Sequence, residues 1–130
     1  MLRPSKEEGR NGKNSRSYNA APSDTTKAAL AFLVAKTIMA EGHQLALFVA
    51  GDGVHLLTDK VAQATEGLGT GKLSEHLAAI DAGDAELYFS GLSAKARNIA
   101  TEDIVLRKAQ PAMPAKLVQL TVECDRVLCY

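Results

Sequence analysis

The order of apolar and polar positions predicts helices and strands that alternate along most of the chain. Ser23 or Asp24 is suited to cap a first helix, and Gly42 supplies the left-handed position typical of a helix end. Within this helix the apolar residues at helical spacing are Leu30, Leu33, Val34 and Ile38. The nearly continuous apolar run 44–50 follows, and such a run is typical of a strand that helices cover on both faces.

The second half of the chain repeats this arrangement after a break at Gly51-Asp52-Gly53. The first predicted element is a helix that carries Leu73, Leu77 and Ile80 and ends at Gly83. A strand at 85–89 and a short helix at 94–100 follow it. The last three predicted elements are a weak edge strand at 109–113 bounded by Pro111 and Pro114, a helix at 115–123 and a strand at 126–130. Alternating strands and helices favour a parallel α/β sheet. We therefore expect a single three-layer α/β/α domain with a mostly parallel sheet of about five strands.

Residues 1–20 do not follow this pattern. They are rich in basic and small polar side chains and hold few large apolar ones, so they bury too little surface to offset the entropy of ordering. We interpret residues 1–20 as a polar N-terminal extension, mobile or loosely docked, and residues 21–130 as the folded domain.

Composition excludes several classes of function. Lys plus Arg and Asp plus Glu both number 15, so no net charge attracts nucleic acid or an anionic membrane. No apolar run reaches the roughly 18 residues of a membrane-spanning helix, and the N-terminus lacks the apolar segment of a signal peptide. We expect a cytoplasmic protein without nucleic-acid or membrane partners.

The cysteines and histidines form no recognisable site in the sequence. Cys124 and Cys129 match neither a metal-ligand pair nor a disulfide framework, and we interpret both as small buried apolar residues. His43, His55 and His76 lack the close spacing of metal ligands. We predict no metal site and no cofactor.

The glycine-rich segment 67–72 invites comparison with a phosphate-binding loop. Glu66 stands where the first glycine of that motif belongs, and Leu73 stands where Ser or Thr should follow Lys72. No apolar strand precedes the segment either. We interpret it as a flexible loop before a helix.

Segment 86–98 is the most informative part of the chain, because an apolar strand pattern leads directly into a small-residue turn and a helix start. In an open parallel sheet, ligands bind beyond the carboxyl ends of the strands, where loops 21–26, 51–55 and 90–93 should meet. The helix start near Ala94, with Lys95 and Arg97 close by, is suited to hold a small anion. The alternative is that Ser93 is only a helix N-cap.

A Ser-His hydrolase is a further alternative at this edge. His55 would act as the base toward Ser90, and Asp52 would orient the histidine. However, the Gly-x-Ser-x-Gly elbow of α/β hydrolases is absent around Ser90.

The chain resembles the DsrE/DsrF-like family over roughly residues 21–130. The segments that carry the resemblance are Thr25–Leu33, Gly42–Val54, Glu86–Asn98 and Asp125–Leu128. Members of the family carry a cysteine at the end of the strand, often with a second one three residues later, and they pass sulfur as a cysteine persulfide. Here Ser90 and Ser93 stand at those positions, and Asn98 replaces the usual glycine after arginine.

The resemblance also implies an apolar first strand, yet residues 11–19 are polar. Burying unpaired polar groups there would cost roughly 1–3 kcal/mol each. Either this strand is polar and partly solvated, or the sheet lacks it, or the natural chain begins elsewhere.

These features favour a DsrE/DsrF-like protein that lacks the persulfide-carrying cysteine, because a hydroxyl cannot replace a nucleophilic thiolate in sulfur transfer. We predict a non-catalytic protein that binds a small anionic or sulfur-containing ligand or serves in oligomeric assembly, and the resemblance implies a homo-trimer or homo-hexamer. The predicted ligand-binding residues are Ser90, Gly91, Ser93 and Arg97, with Asp52, Gly53 and His55 opposite them. The alternatives are sulfur transfer through Cys124 or Cys129, and a hydrolase that depends on Ser90.

Overall fold

The structure is a computed structural model that describes residues 13–18 and 24–129. Its strands are β1 (Lys13–Tyr18), β2 (Gln44–Val49), β3 (Glu66–Gly67), β4 (Gly71–Lys72), β5 (Glu86–Ser90), β6 (Gln110–Ala112) and β7 (Arg126–Cys129). Its α-helices are α1 (Thr25–Ala40), α2 (Asp59–Ala64), α3 (Leu73–Ala82), α4 (Gly91–Ala96) and α5 (Pro114–Glu123), and 3-10 helices span Gly51–Leu57, named η1, and Thr101–Asp103. No α-helix in this part of the chain is long and apolar enough to cross a membrane.

The main sheet has the spatial order β6-β5-β2-β1-β7, and each neighbouring pair is parallel. Strand β2 lies at its centre, and its side chains alternate between two cores. Leu45, Leu47 and Val49 belong to a large core that includes residues of α1 and α3, whereas Ala46 and Phe48 pack with Leu120 and Cys124 on the other face. This two-sided burial explains the continuous apolar run and confirms the predicted three-layer α/β/α fold.

Strand β1 corrects the interpretation of the N-terminal region. Lys13–Tyr18 were assigned to a loosely docked extension, but they form a strand that pairs with β2 on one side and β7 on the other. Pairing in a sheet uses backbone N–H and C=O groups, which every non-proline residue supplies whatever its side chain. Of the three alternatives for the first strand, the sheet contains it, with a polar sequence. Residues 1–12 and 19–23 lie outside the described part of the chain.

Helix α1 forms where the sequence predicts it, but it buries different residues. Asp24 is the N-cap and accepts a hydrogen bond from the Lys27 amide at 2.9 Å, and Gly42 has the predicted positive φ of 83°. The buried residues of the helix are Ala28, Ala29, Ala31, Phe32 and Ala35, whereas Leu30 is exposed. Small alanine side chains let the helix lie close to its neighbours, so the larger aliphatic residues face outward or lie at the margin of the core.

The segment 67–72 is a hairpin rather than the predicted flexible loop. Strands β3 and β4 pair in antiparallel fashion, and Leu68 N donates to Thr26 Oγ1 at 3.1 Å, which fixes the hairpin to the start of α1. A Cβ at Gly67 would lie 3.0 Å from Thr26 Cα and from Ala29 Cβ. The absence of a side chain at Gly67 therefore allows the hairpin to pack closely against α1.

His76 also contacts this hairpin. It is buried, and its Nε2 donates to the carbonyl oxygen of Thr70 at 2.7 Å. This hydrogen bond connects helix α3 to the hairpin. His76 therefore has a structural role that its position in the sequence did not indicate.

The remaining predicted elements are confirmed with shifted bounds. Helix α3 buries Leu73, Leu77 and Ile80 and is capped by Gly83, as predicted. Strand β6 lies at one edge of the sheet and contains Pro111, as expected for a strand whose backbone lacks one donor. The sequence analysis predicted neither η1 nor α2. For α2 the reason is that the polar residues in segment 58–63 resemble a connecting loop.

Candidate functional site

Ser90 lies at the junction of β5 and α4 and is the N-cap of that helix. Its hydroxyl oxygen accepts a hydrogen bond from the Ser93 amide at 3.1 Å, and only 8% of the residue is exposed. The prediction that Ser93 is the cap is therefore wrong. Strand β5 leads into the helix without an intervening turn, so α4 begins at Gly91 and not at Ala94.

Ser93 instead connects two strands of the sheet. Its hydroxyl oxygen accepts a hydrogen bond from the Gly51 amide at 2.9 Å. Gly51 begins η1 just beyond the end of β2, and β2 is the direct neighbour of β5. The Ser93 hydroxyl therefore joins the start of η1 to α4, whereas the Ser90 hydroxyl caps α4 itself.

Arg97 completes this group of residues from the end of α4. Its Nε and NH2 lie 3.0 Å and 2.8 Å from Asp52 Oδ1, and its NH1 donates to the Ser93 carbonyl oxygen at 3.1 Å. An ion pair as exposed as this one contributes about 0–1 kcal/mol to stability, so its main effect is to fix the guanidinium in position. The structure thus brings Ser90, Ser93, Arg97 and Asp52 together at the carboxyl edge of the sheet.

The other predicted site residues lie on the same two loops. Gly91 is the first residue of α4, and Gly53 and His55 belong to η1, with Gly53 buried and His55 half-buried. Within the described residues no hydrogen bond joins His55 to Ser90, and Asp52 pairs with Arg97 rather than with the histidine. The third predicted loop, 21–26, is described only from residue 24 onward.

Asn98 follows Arg97 and takes a left-handed backbone conformation with φ of 54°. Glycine adopts this conformation most readily, and asparagine is one of the few other residues that tolerate it. Asparagine is therefore compatible with the backbone of this turn.

The two cysteines lie away from these loops. Cys124 is 1% exposed and caps α5, whereas Cys129 is exposed in β7, so the prediction of burial is confirmed for Cys124 and wrong for Cys129. Strand β7 is a four-residue strand at the edge of the sheet, which leaves most of its side chains accessible. Strands β1 and β2 lie between β7 and β5, so β7 is about 14 Å from β5.

The sequence matches the DsrE/DsrF-like family over residues 18–130, which includes every strand of the main sheet except most of β1. The chain belongs to the DsrE/DsrF-like family. The crystal structure of the YchN protein from E. coli has a similar fold, with a TM-score of 0.75 at 19% sequence identity over 92% of this chain and 99% of that chain. A comparison with curated proteins gives no match.

This DsrE/DsrF-like chain contains two site interactions that the sequence did not predict. One is the hydrogen bond from Gly51 to Ser93, and the other is the capture of Arg97 by both Asp52 and the Ser93 carbonyl. The pairs Gly51–Ser93 and Asp52–Arg97 are each more than 40 positions apart in the sequence, and the third contact uses a backbone oxygen. None of these contacts therefore has a local sequence signal. The parallel register of β2 and β5 could have suggested that their following loops meet.

Replacement of Ser93 tests the importance of the link between these loops. We expect Ser93→Ala to lower the free energy of unfolding by about 1–3 kcal/mol, because the part-buried Gly51 amide loses its acceptor. Urea denaturation followed by circular dichroism measures the change. Ser74→Ala is the matched control, since the half-buried Ser74 hydroxyl makes no hydrogen bond within the described residues. Equal stabilities of the two variants would contradict the prediction.

Proposed function

We propose that this chain is a non-catalytic DsrE/DsrF-like protein that lacks the persulfide-carrying cysteine and binds a small anionic or sulfur-containing ligand as part of a homo-oligomer. The observation that carries this proposal is that the hydroxyl groups of Ser90 and Ser93 are both engaged in hydrogen bonds. Each accepts a hydrogen bond from a backbone amide, so both serve to shape the loops at the carboxyl edge. The family's general architecture is retained around them.

The chemistry of Ser90 supports a binding role over a catalytic one. Serine becomes a strong nucleophile only when a neighbouring base removes its proton. In the described residues the contact of the Ser90 hydroxyl is the Ser93 amide, which is a donor and cannot act as a base. A hydrolase that depends on Ser90 is therefore not favoured.

The positions of the cysteines do not favour sulfur transfer either. Cys124 is buried in the smaller core, and Cys129 lies on the edge strand β7, three strands from β5. A persulfide needs an accessible thiolate to receive and deliver sulfur. Neither cysteine lies beside the loops that hold Ser90 and Arg97.

The proposed ligand would lie against the loops 51–55 and 90–97. Lys95 is exposed and Arg97 is partly exposed, so this edge offers positive charge beyond what Asp52 neutralises. These features are suited to a small anion. A cytoplasmic location stays a prediction from the sequence.

The proposed homo-oligomer finds support in the outer surface of α5. Val118 and Val122 are 62% and 48% exposed, and their spacing of four residues places them on one stripe of the helix. Met113, just before the helix, is also exposed. Exposed apolar residues grouped on one stripe of a surface helix give a second subunit an apolar surface to cover.

Sulfur loading tests the proposal directly. The protein is incubated with thiosulfate and a rhodanese, which presents a sulfane sulfur to protein thiols, and intact-mass spectrometry then detects added sulfur. Two proteins are compared in a Cys129→Ser background, one with Ser90 retained and one with Ser90→Cys. We expect added sulfur only with Ser90→Cys, because a thiolate there would accept the Ser93 amide hydrogen bond at the start of α4.

The wild-type chain provides the decisive comparison. Added sulfur on Cys124 or Cys129 that passes on to an acceptor thiol would replace the proposal with sulfur transfer. If the Ser90→Cys variant failed to accept sulfur, the replacement of oxygen by sulfur at residue 90 would not be sufficient to make this a sulfur-carrying site.

A further inference from the structure

A second cleft lies away from the serine loops, between α2, α3 and the segment 105–107. It has a volume of about 350 Å³, within the range of small-molecule sites. Ala62 and Leu77 form a buried apolar floor, and Ala78 and Val105 lie beside it. None of the residues that line this cleft belongs to the loops 51–55 or 90–97.

Charges of both signs line this cleft without neutralising one another. Asp59 and Asp81 lie on its walls, and so does Arg107. Within the described part of the chain, Arg107 forms no ion pair or hydrogen bond. Asp81 accepts a hydrogen bond from the Lys108 amide through Oδ1 at 3.1 Å, and Asp59 Oδ1 lies 3.5 Å from Gln63 Nε2. Among the residues that the structure describes, neither carboxylate forms an ion pair, so both are available to a ligand.

We propose that this cleft binds a small amphoteric molecule with the chemistry of a basic amino acid. Its carboxylate would pair with the Arg107 guanidinium in a bidentate manner, which is the geometry that arginine favours. Its ammonium groups would pair with Asp59 and Asp81, and two carboxylates against one guanidinium favour a ligand with more positive than negative groups. The aliphatic chain between these groups would lie on Leu77 and Ala62.

A titration of the full-length protein with L-lysine tests this inference. Backbone amide chemical shifts in ¹H–¹⁵N spectra report where the probe binds. We expect saturable shifts at amides of 59–63, 74–82 and 105–107, at millimolar concentrations of the probe. Cadaverine, which has the same two amines but no carboxylate, is the companion probe.

Arg107→Gln separates specific recognition from general attraction of cations. We expect the affinity for L-lysine to fall about tenfold, because a charge-assisted pair is lost, while the affinity for cadaverine is retained. Arg126→Gln, on the exposed edge of β7, is the matched control and should change neither affinity. Asp59→Asn should weaken both probes, and thermal unfolding checks that each variant folds.

Three results would overturn the inference. They are the absence of saturable shifts with L-lysine, saturable shifts that centre on the amides near Ser90, and an Arg107→Gln variant that binds L-lysine as well as the wild type does. Since the cleft and the serine loops share no residue, failure here leaves the sulfur-loading result unaffected.

Discussion

Phe32→Ala is expected to lower the free energy of unfolding by about 3–5 kcal/mol, whereas Leu30→Ala, two residues earlier on the same helix, should change it by less than about 1 kcal/mol. Phe32 is 0% exposed and lies in the large core, while Leu30 is 38% exposed. Both substitutions place alanine in the interior of α1, and the helix propensities of Leu and Phe differ by only a few tenths of a kcal/mol. The difference between the variants is therefore dominated by the burial of Phe32.

Chemical denaturation of the two variants under identical conditions measures this difference. The slope of the free energy against denaturant should remain similar, which would show that the truncation leaves the unfolded state unchanged. If Leu30→Ala proved as destabilising as Phe32→Ala, α1 would pack with the opposite face inward. Leu30→Ala would also be destabilising if Leu30 were buried in a subunit interface. In that case the measured stability would depend on protein concentration, so the measurement is repeated at two concentrations.

Replacement of Val118 and Val122 together by glutamate is expected to convert the proposed homo-oligomer into monomers. Two carboxylates on the apolar stripe of α5 would have to lose their hydration on association, and burial of unpaired charge is strongly unfavourable. Both residues are exposed, so the fold of the monomer should be retained. Sedimentation velocity measures the mass, and circular dichroism checks the secondary structure.

Leu68→Glu is the matched control for this experiment. Leu68 is also a large exposed apolar residue, but it lies in the hairpin loop between β3 and β4. Its replacement adds the same kind of charge at a different place and should leave the oligomer intact. A wild-type protein that sediments as a monomer would contradict the proposed assembly, and dissociation by Leu68→Glu alone would place the interface at the hairpin.

Much of the fold could be predicted because burial on both faces leaves a clear mark in the sequence. The run from Leu45 to Val49 is apolar at every position since β2 contributes to both cores. The spacing of Leu73, Leu77 and Ile80 similarly marks the buried face of α3. In these elements the hydrophobic pattern and the tertiary packing agree.

Other parts could not be predicted because their positions depend on backbone groups or on distant contacts. Strand β1 is held by hydrogen bonds to two neighbours, and a pattern of apolar side chains does not reveal them. The face of α1 was misread because alanine gives a weaker apolar signal than leucine. At the candidate site, which of Ser90 and Ser93 caps α4 could not be predicted, because the answer depended on where β5 ends.

The position of β1 has a consequence for how the molecule is joined. Strand β7 occupies one margin of the sheet, and among the described strands it pairs only with β1. The first and last strands that the structure describes are therefore adjacent in space, and β7 is hydrogen-bonded to the main sheet through β1. A deletion that removed Lys13–Tyr18 would leave the last strand without its partner, although the two lie more than a hundred residues apart in the sequence.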